Sequence, residues 1–438
     1  MKQIKILTAL VLYSLCSTAQ LSKPLERLAK HIEQVQPPGF DSLQRGNLLY
    51  DKKGIHYLNA IYHWLKIKAP GRGQPVYTAY MKQGAQRMAF AGDYTSASYL
   101  AANAYDSLPP EAVQDISFYL DSLKGIAFRP ATDLVLQLSA ASRVVMINEA
   151  HDKPFHRVFT QSLLKELYGQ GYRYLAMEML SNYPDKVLEK PVMQTGYFAA
   201  EPLAGELIRS ALSMGYQLVP YEDTAASGHS ASQRDSVQAA NIAAVLQRDP
   251  AARILVHAGY AHIGEEPMGR DYMPMALAFQ RMTRIDPLTI DQTEMSEGSN
   301  FGYGRLLYDQ FVGRNKLQQP SIAMRGNKPF SYLESTMYDL QVIHPPTVYQ
   351  HARPTWLQMN GLRKPVPVSP GEKKLFMVQA YYANEYDDKW PGKWIPADQT
   401  YVEDADGYYW LYLVPGKYKL VFRDMDYNLL RTKELEVQ

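Results

Sequence analysis

Four short segments carry the acids and imidazoles of this sequence that can do chemistry. They are Asn148-Glu149-Ala150-His151-Asp152, then Glu178, then Tyr221-Glu222-Asp223, then His257-Ala258-Gly259-Tyr260-Ala261-His262. Glu149 and His151 are two residues apart, so in an extended chain they share a face and one acid can orient one imidazole. Such a pair can take a proton from water, and the same donor types can ligate a divalent cation. Singly, Glu178 and Glu222 read as solvated strand ends and His257 as a satisfied core histidine. Together they ask for compensation, because carboxylates gathered away from water need cations, protons or a metal beside them. Arg234 is one such cation. It stands near the start of a predicted helix beginning at Ser232, where the macrodipole disfavours positive charge. Asp235 can neutralise it locally, whereas a set of neighbouring carboxylates, or a substrate oxyanion, gives its fork a task. His156 falls on the helix that follows His151 and is a supporting candidate.

These residues must be brought together by the elements around them. Between Arg143 and about Ile290 short apolar runs alternate with helix-length amphipathic stretches, which predicts βαβ units and a parallel sheet. The runs are Val144 to Ile147, Tyr174 to Met177, Leu218 to Pro220 and Ile254 to Val256. The helical stretches are Phe155 to Tyr168, Leu203 to Met214 and Ser232 to Gln247. Each run ends at one of the four chemical segments. In an open parallel sheet the crevice beyond the carboxyl ends of the strands is where ligands bind. Ser321 to Met324 and Asp339 to Ile343 read as further strands that extend the sheet.

Upstream, from Ser22 to about Lys124, the spacing is helical, as in Leu25, Leu28 and Ile32, and in Tyr57, Ile61, Trp64 and Leu65. Gly92, Tyr94, Ala97, Ala101, Ala104 and Pro109 have the spacing of the second half of a tetratricopeptide repeat, without a second copy. Downstream, Lys364-Pro365-Val366-Pro367-Val368-Ser369-Pro370 reads as a stiff linker. Strand-like runs follow it, with turns at Asp406-Gly407 and Pro415-Gly416. The fold class expected is α/β: a central, mostly parallel sheet flanked by helices, with an N-terminal helical region and a C-terminal β-sandwich-like domain. The expected divisions are a signal peptide over 1–19, a helical region over 20–130, an α/β catalytic or ligand-binding domain over 131–363 and a small β-sandwich over 371–438.

Composition narrows the function classes. The 438 residues hold 46 Lys+Arg against 44 Asp+Glu, with 46% hydrophobic residues, so no basic footprint for nucleic acid is present. Met1-Lys2-Gln3-Ile4-Lys5 leads into an apolar run from Ile6 to Leu15 and then Ser17-Thr18-Ala19, which predicts a cleavable secretory signal, since the run is too short for a membrane span. Cleavage near Ala19 removes Cys16, the one cysteine, and with it any disulfide, Cys nucleophile or Cys metal ligand. A periplasmic or secreted protein with no transmembrane span is expected. There is no Gly-x-Ser-x-Gly elbow, Walker loop or His-Glu-x-x-His, and Gly169-Gln170-Gly171 precedes a strand instead of following one. Aromatics near the C-terminus (Tyr381, Tyr382, Trp390, Trp394, Tyr408, Tyr409, Trp410) suit a small β core first and a glycan contact second.

The order Asn148-Glu149-Ala150-His151-Asp152, Ala176-Met177-Glu178-Met179, Pro220-Tyr221-Glu222, Gln233-Arg234-Asp235 with Asn241-Ile242, and Gly259-Tyr260-Ala261-His262 resembles the superfamily of erythromycin esterase, ChaN-like haem-binding proteins and the TIKI/TraB group. The resemblance covers roughly Arg143 to Ile285, about a third of the chain. It implies site roles for Glu149, His151, Glu178, Glu222, Arg234 and His262. Two positions depart from the pattern. Asn148 stands where a glycine is usual, and Gly259 stands where the esterase branch has a histidine, which brings the chain nearer the ChaN and TIKI branches and weakens a case for macrolide hydrolysis.

Three functions follow as expectations. The first is a hydrolase acting on a small-molecule or cell-surface substrate, with His151 as general base, Glu149 or Glu178 fixing its tautomer, Arg234 and His262 stabilising an oxyanion, and Glu222 positioning water or substrate. The second adds a divalent metal (Zn, Mn or Co) on His151, Glu149 and His262, as the TIKI branch implies. The alternative is a binder of haem or another ligand, with His262 or Tyr260 as axial ligand, as the ChaN branch implies.

Overall fold

The computed structural model describes residues 21–34, 49–74, 76–225, 228–269, 271–299, 302–332, 336–371 and 374–438. The expected signal peptide and Cys16 lie outside the described residues.

The central sheet has nine strands: β1 (Ile126–Pro130), β2 (Val144–Glu149), β3 (Tyr174–Met177), β4 (Gln217–Pro220), β5 (Ile254–Gly259), β6 (Leu288–Asp291), β7 (Ser321–Arg325), β8 (Lys328–Phe330) and β9 (Leu340–Ile343). The spatial order is β8-β7-β9-β6-β2-β5-β3-β4, with β1 along the free side of β7. From β9 to β4 every pairing is parallel, while β7 runs antiparallel to β9, β8 and β1. Every residue of β2 and β5 is buried, which is why these strands read as unbroken apolar runs: helices cover both faces. Val145 and Ile147 face one layer, packed by the helices α6 (Ala131–Ser139), α7 (Phe155–Gly169) and α8 (Pro202–Met214). Val144 and Met146 face the other, packed by α9 (Ala231–Arg248) and α10 (Met275–Thr283). The register sets Glu149 opposite Gly259, and Met177 opposite both His257 and Pro220. The four chemical segments therefore leave the sheet side by side.

Before the sheet come α1 (Lys23–Gln34), α2 (Asn59–Lys66), α3 (Tyr77–Phe90), α4 (Tyr94–Ala102) and α5 (Pro110–Ser122). After it come β10 (Lys364–Val368), β11 (Met377–Tyr382), β12 (Asp398–Thr400), β13 (Tyr409–Leu413), β14 (Gly416–Arg423) and β15 (Leu429–Val437). These form an antiparallel pair β10-β13 and an antiparallel sheet β12-β11-β14-β15, with Val368, Val378, Ala380, Tyr409, Leu411, Leu420 and Phe422 in one core. Residues 364–368, read from sequence as a linker, are thus a strand. The correction has a simple cause: Pro365 and Pro367 alternate with Lys364, Val366 and Val368, so the missing N–H groups all fall on the side away from β13. Tyr381, Trp394 and Tyr409 are buried, while Trp390 and Tyr408 are exposed.

The N-terminal helices and the C-terminal strands share a core. Leu28, Ile61, Met88 and Ala97 pack in one cluster with Phe376, Met377, Tyr401 and Tyr427. Gly92, at the turn between α3 and α4, has φ +79°, and a Cβ there would lie 1.9 Å from the Gln399 carbonyl oxygen. Only glycine satisfies both demands. Among the described residues no helix is long and apolar enough to cross a membrane.

Candidate active site

Glu149 ends β2 inside the protein, and its carboxylate is fully subscribed. Arg157 of α7 grips it with Nε at 2.6 Å and Nη2 at 2.7 Å, His257 of β5 donates from Nε2 at 2.8 Å, and His151 donates from Nδ1 at 3.0 Å. Burial works against the charge, but the Arg157 guanidinium and the two imidazoles outweigh it and hold the carboxyl well below its usual range. A permanent carboxylate at Nδ1 keeps the His151 proton there and leaves Nε2 as the available base. Thr160 lies 3.2 Å from Nδ1 of His257, which fixes that ring in turn.

Arg157 also binds Glu201 at 2.8 Å, and both side chains are fully buried. Glu201 caps α8 through the Ala204 amide at 2.9 Å and accepts from the Tyr94 hydroxyl at 3.1 Å. Burial, the largest influence, raises its pKa against the pull of Arg157. Behind this group, His156 accepts from the Ala150 amide at 3.0 Å and so shapes the backbone of the first motif. It and His344 are buried and neutral, with burial lowering His344 to about 3.

Glu178 lies just beyond β3, near the partly buried His151 and His262. Its Oε2 accepts from the Gly259 amide at 2.5 Å, and its Oε1 meets Arg234 at 2.7 Å and His262 Nε2 at 3.6 Å. Gly259 is small for a reason: a Cβ there would stand 2.8 Å from Glu178 Oε2 and 2.9 Å from His151 Nε2. His151 and Glu178 therefore both lie against the bare Gly259 backbone. The charges of His262, His151 and Arg234 overcome burial and lower the Glu178 pKa.

Arg234 is in the first turn of α9, whose N-cap Ser230 and Gln233 form a reciprocal capping box. It binds both oxygens of Glu222 and, at 3.3 Å, faces Nε2 of His262. Its side chain remains 37% exposed although Nε, Nη1 and Nη2 all have partners. Gln238 and the Asp223 amide steady Glu222 at 3.1 and 2.8 Å. Asp235 does not neutralise Arg234. It is buried and takes Nδ1–H of His262 at 2.9 Å, the Tyr272 hydroxyl at 2.8 Å and the Met275 amide at 2.9 Å. Burial opposes charge on His262, but the Asp235 bond and the Glu178 charge prevail and raise its pKa.

The six residues singled out in the sequence thus fall into two hydrogen-bonded groups, Glu149 with His151 and Glu178 with Glu222, Arg234 and His262, which adjoin at Gly259, with Tyr260 beside them. Tyr260 is held at φ +44°, its carbonyl accepting from Asn148 at 2.9 Å and its ring edge-on to His151 at 5.0 Å. Sequence reasoning missed Arg157, Glu201, Asp235 as the partner of His262, and Phe198, which stacks on His151 with centroids 4.2 Å apart and planes at 23°. For Arg157 a signal existed. It falls on the buried stripe of α7 with Thr160, Leu164 and Leu167, and a charge on an apolar stripe needs a partner.

The donors do not fit a shared metal ion. Among the described residues, the one group of three His, Asp or Glu ligand atoms lying within 4.8 Å of one another is His351, Asp404 and Asp406, in the C-terminal region. Glu149, His151 and His262 form no such group, because two guanidinium groups already hold the carboxylates between them. Nδ1 of His262 is held by Asp235, and the part-buried Tyr260 hydroxyl faces Asp152 at 3.5 Å. What the arrangement offers is two oriented imidazoles near an ionised glutamate, with a partly exposed guanidinium at its rim. Comparison of the chain with protein families, with curated proteins and with solved structures finds no match.

Proposed function

We propose that this protein is a hydrolase that activates water on an ester, amide or similar bond, working in a periplasmic or secreted setting, and that it is related to the erythromycin esterase, ChaN and TIKI/TraB superfamily. One observation carries the reading: the Glu149 carboxylate accepts a hydrogen bond from Nδ1–H of His151, which leaves Nε2 as a base near Glu178. In the proposed reaction His151 Nε2 removes a proton from water as its oxygen bonds to the substrate carbonyl carbon. The resulting oxyanion is met by Arg234 and by His262, whose raised pKa favours the charged form. The bond to the leaving group then breaks, and the proton on His151 passes to that group. Glu222 and Glu178 keep the Arg234 fork in place and orient the water.

The test is a screen of esters, amides and peptides with wild type, His151→Ala and Glu149→Gln, each with and without chelator. For the best substrate, turnover falls by roughly 10²-fold or more in His151→Ala, and chelator leaves the wild type unchanged. Full activity in His151→Ala overturns the proposal.

A further inference from the structure

Between Glu178 and α8 the chain makes a strap over residues 179–200 that touches all three parts of the molecule. Its middle is stitched to the C-terminal region: Val192 forms an antiparallel bridge with Trp394, the Met193 amide donates to the Lys393 carbonyl at 2.9 Å, and Lys190 lies 4.6 Å over the Trp394 ring. Val192 and Trp394 share a buried cluster with Tyr381 and Val421. Its end is held by the N-terminal region, through the Tyr57 hydroxyl on the Ala200 carbonyl at 2.8 Å and Phe90 of α3 against Tyr197 at 5.3 Å. It is also folded on itself. Thr195 closes onto Val192 and Val187, and Gly196, at φ +151°, passes so near Met179 that a Cβ would lie 1.9 Å from its carbonyl oxygen. The next residue but one is Phe198, with its ring on His151.

We infer that the flanking regions act on the site through this strap, and that Phe198 is a positioning residue that holds the His151 ring in register with Glu178 and gives the imidazolium a π-face. The inference rests on His151 being the base. His151 has one hydrogen-bonded nitrogen, and one bond leaves a ring free to rock about it. A stacked ring on one face and the Tyr260 edge nearby remove that freedom. A ring face also attracts the cation that forms when His151 takes a proton. The N-terminal helices and C-terminal strands thus have a task at the site without contributing a reacting atom.

Histidine Cε1–H NMR reads this without a substrate. The His151 signal, assigned by its loss in His151→Gln, is expected upfield because it lies over the Phe198 face. Phe198→Leu moves it downfield and Phe198→Tyr restores it. Loosening the distant anchor with Trp394→Ala moves it the same way by a smaller amount. Tyr57→Phe, which deletes one hydroxyl, serves as the second anchor variant if Trp394→Ala does not fold. With a substrate in hand, Phe198→Leu lowers kcat by up to roughly 100-fold while KM changes little. A His151 signal unmoved by Phe198→Leu, or unmoved by the folded anchor variants, overturns the inference and leaves the hydrolase proposal standing. Activity retained in His151→Ala overturns the hydrolase proposal, while the signal still reports the strap.

Discussion

Two arginines lie at the same rim of the sheet, and each binds two glutamates. Arg157 joins Glu149 and Glu201 with all three side chains sealed from water, whereas Arg234 joins Glu178 and Glu222 with its own side chain 37% exposed. Residue types and distances are nearly the same, so burial makes the difference. A sealed guanidinium cannot reach a substrate. It fixes the Glu149 charge and, through it, His151. A partly exposed guanidinium gains less from its partners, because water competes, but a developing negative charge can approach its exposed side. The molecule thus uses one pairing twice, as scaffold on one side and as working surface on the other.

The comparison breaks most readily at the sealed side. Arg157→Met strands two buried carboxylates, and chemical denaturation followed by circular dichroism should show a loss of about 3–5 kcal/mol. A loss as small as that of an exposed ion pair would mean that the interior is wetter than its burial implies. The histidine behind the same side gives the next effect. His344, lowered to about 3 by burial and by the nearby Lys153 charge, stays neutral in the folded chain while the unfolded chain protonates. Its contribution is therefore lost as pH falls from about 6.5 toward 3, by roughly 1.4 kcal/mol per pH unit. The stability of wild type minus that of His344→Gln across this range isolates the ring from the carboxylates; a flat difference would contradict it. His262 on the open side has the opposite sign, being raised, so its stabilisation is present at low pH and fades as pH rises through its folded value. The smallest stability change belongs to Arg234→Gln, about 1 kcal/mol or less because water screens the pairs. Its activity on a substrate from the screen should nevertheless fall by roughly 10²–10³-fold. A large unfolding effect with little kinetic effect would exchange the roles assigned to the two arginines.

The parallel half of the sheet was legible because strands buried on both faces show as apolar runs, and β2, β3, β4 and β5 were placed to within a few residues. β1 and β6 escaped. Residues 126–130 are only partly buried at an edge and end in Pro130, and β6 is four residues in which Thr289 and Asp291 interrupt the apolar signal. Glu149, His151, Glu178, Glu222 and His262 come at or just after the carboxyl ends of neighbouring strands, as their positions in the sequence suggested, whereas Arg234 comes from a helix. Partners that arrive sideways from helices or from the strap were harder to see, since nothing in the spacing of Glu201, Asp235 or Phe198 announces which histidine or arginine each will meet. The strand of residues 364–368 was obscured by its prolines, whose alternation marks a strand paired on one side only.

The core shared by the first helices and the last strands also governs how the chain can be made. Gln399 donates to the Phe90 carbonyl at 2.7 Å, and Gly92 lies against the same stretch of backbone, contacts that span about three hundred positions. A growing chain that has emerged only as far as the central sheet still lacks the part of the α1 to α4 core that Phe376, Met377, Tyr401 and Tyr427 supply. Closure of so long a loop is slow, and in the interval the incomplete core is open to chaperones. Removing the last forty residues should therefore harm the beginning of the protein as much as its end.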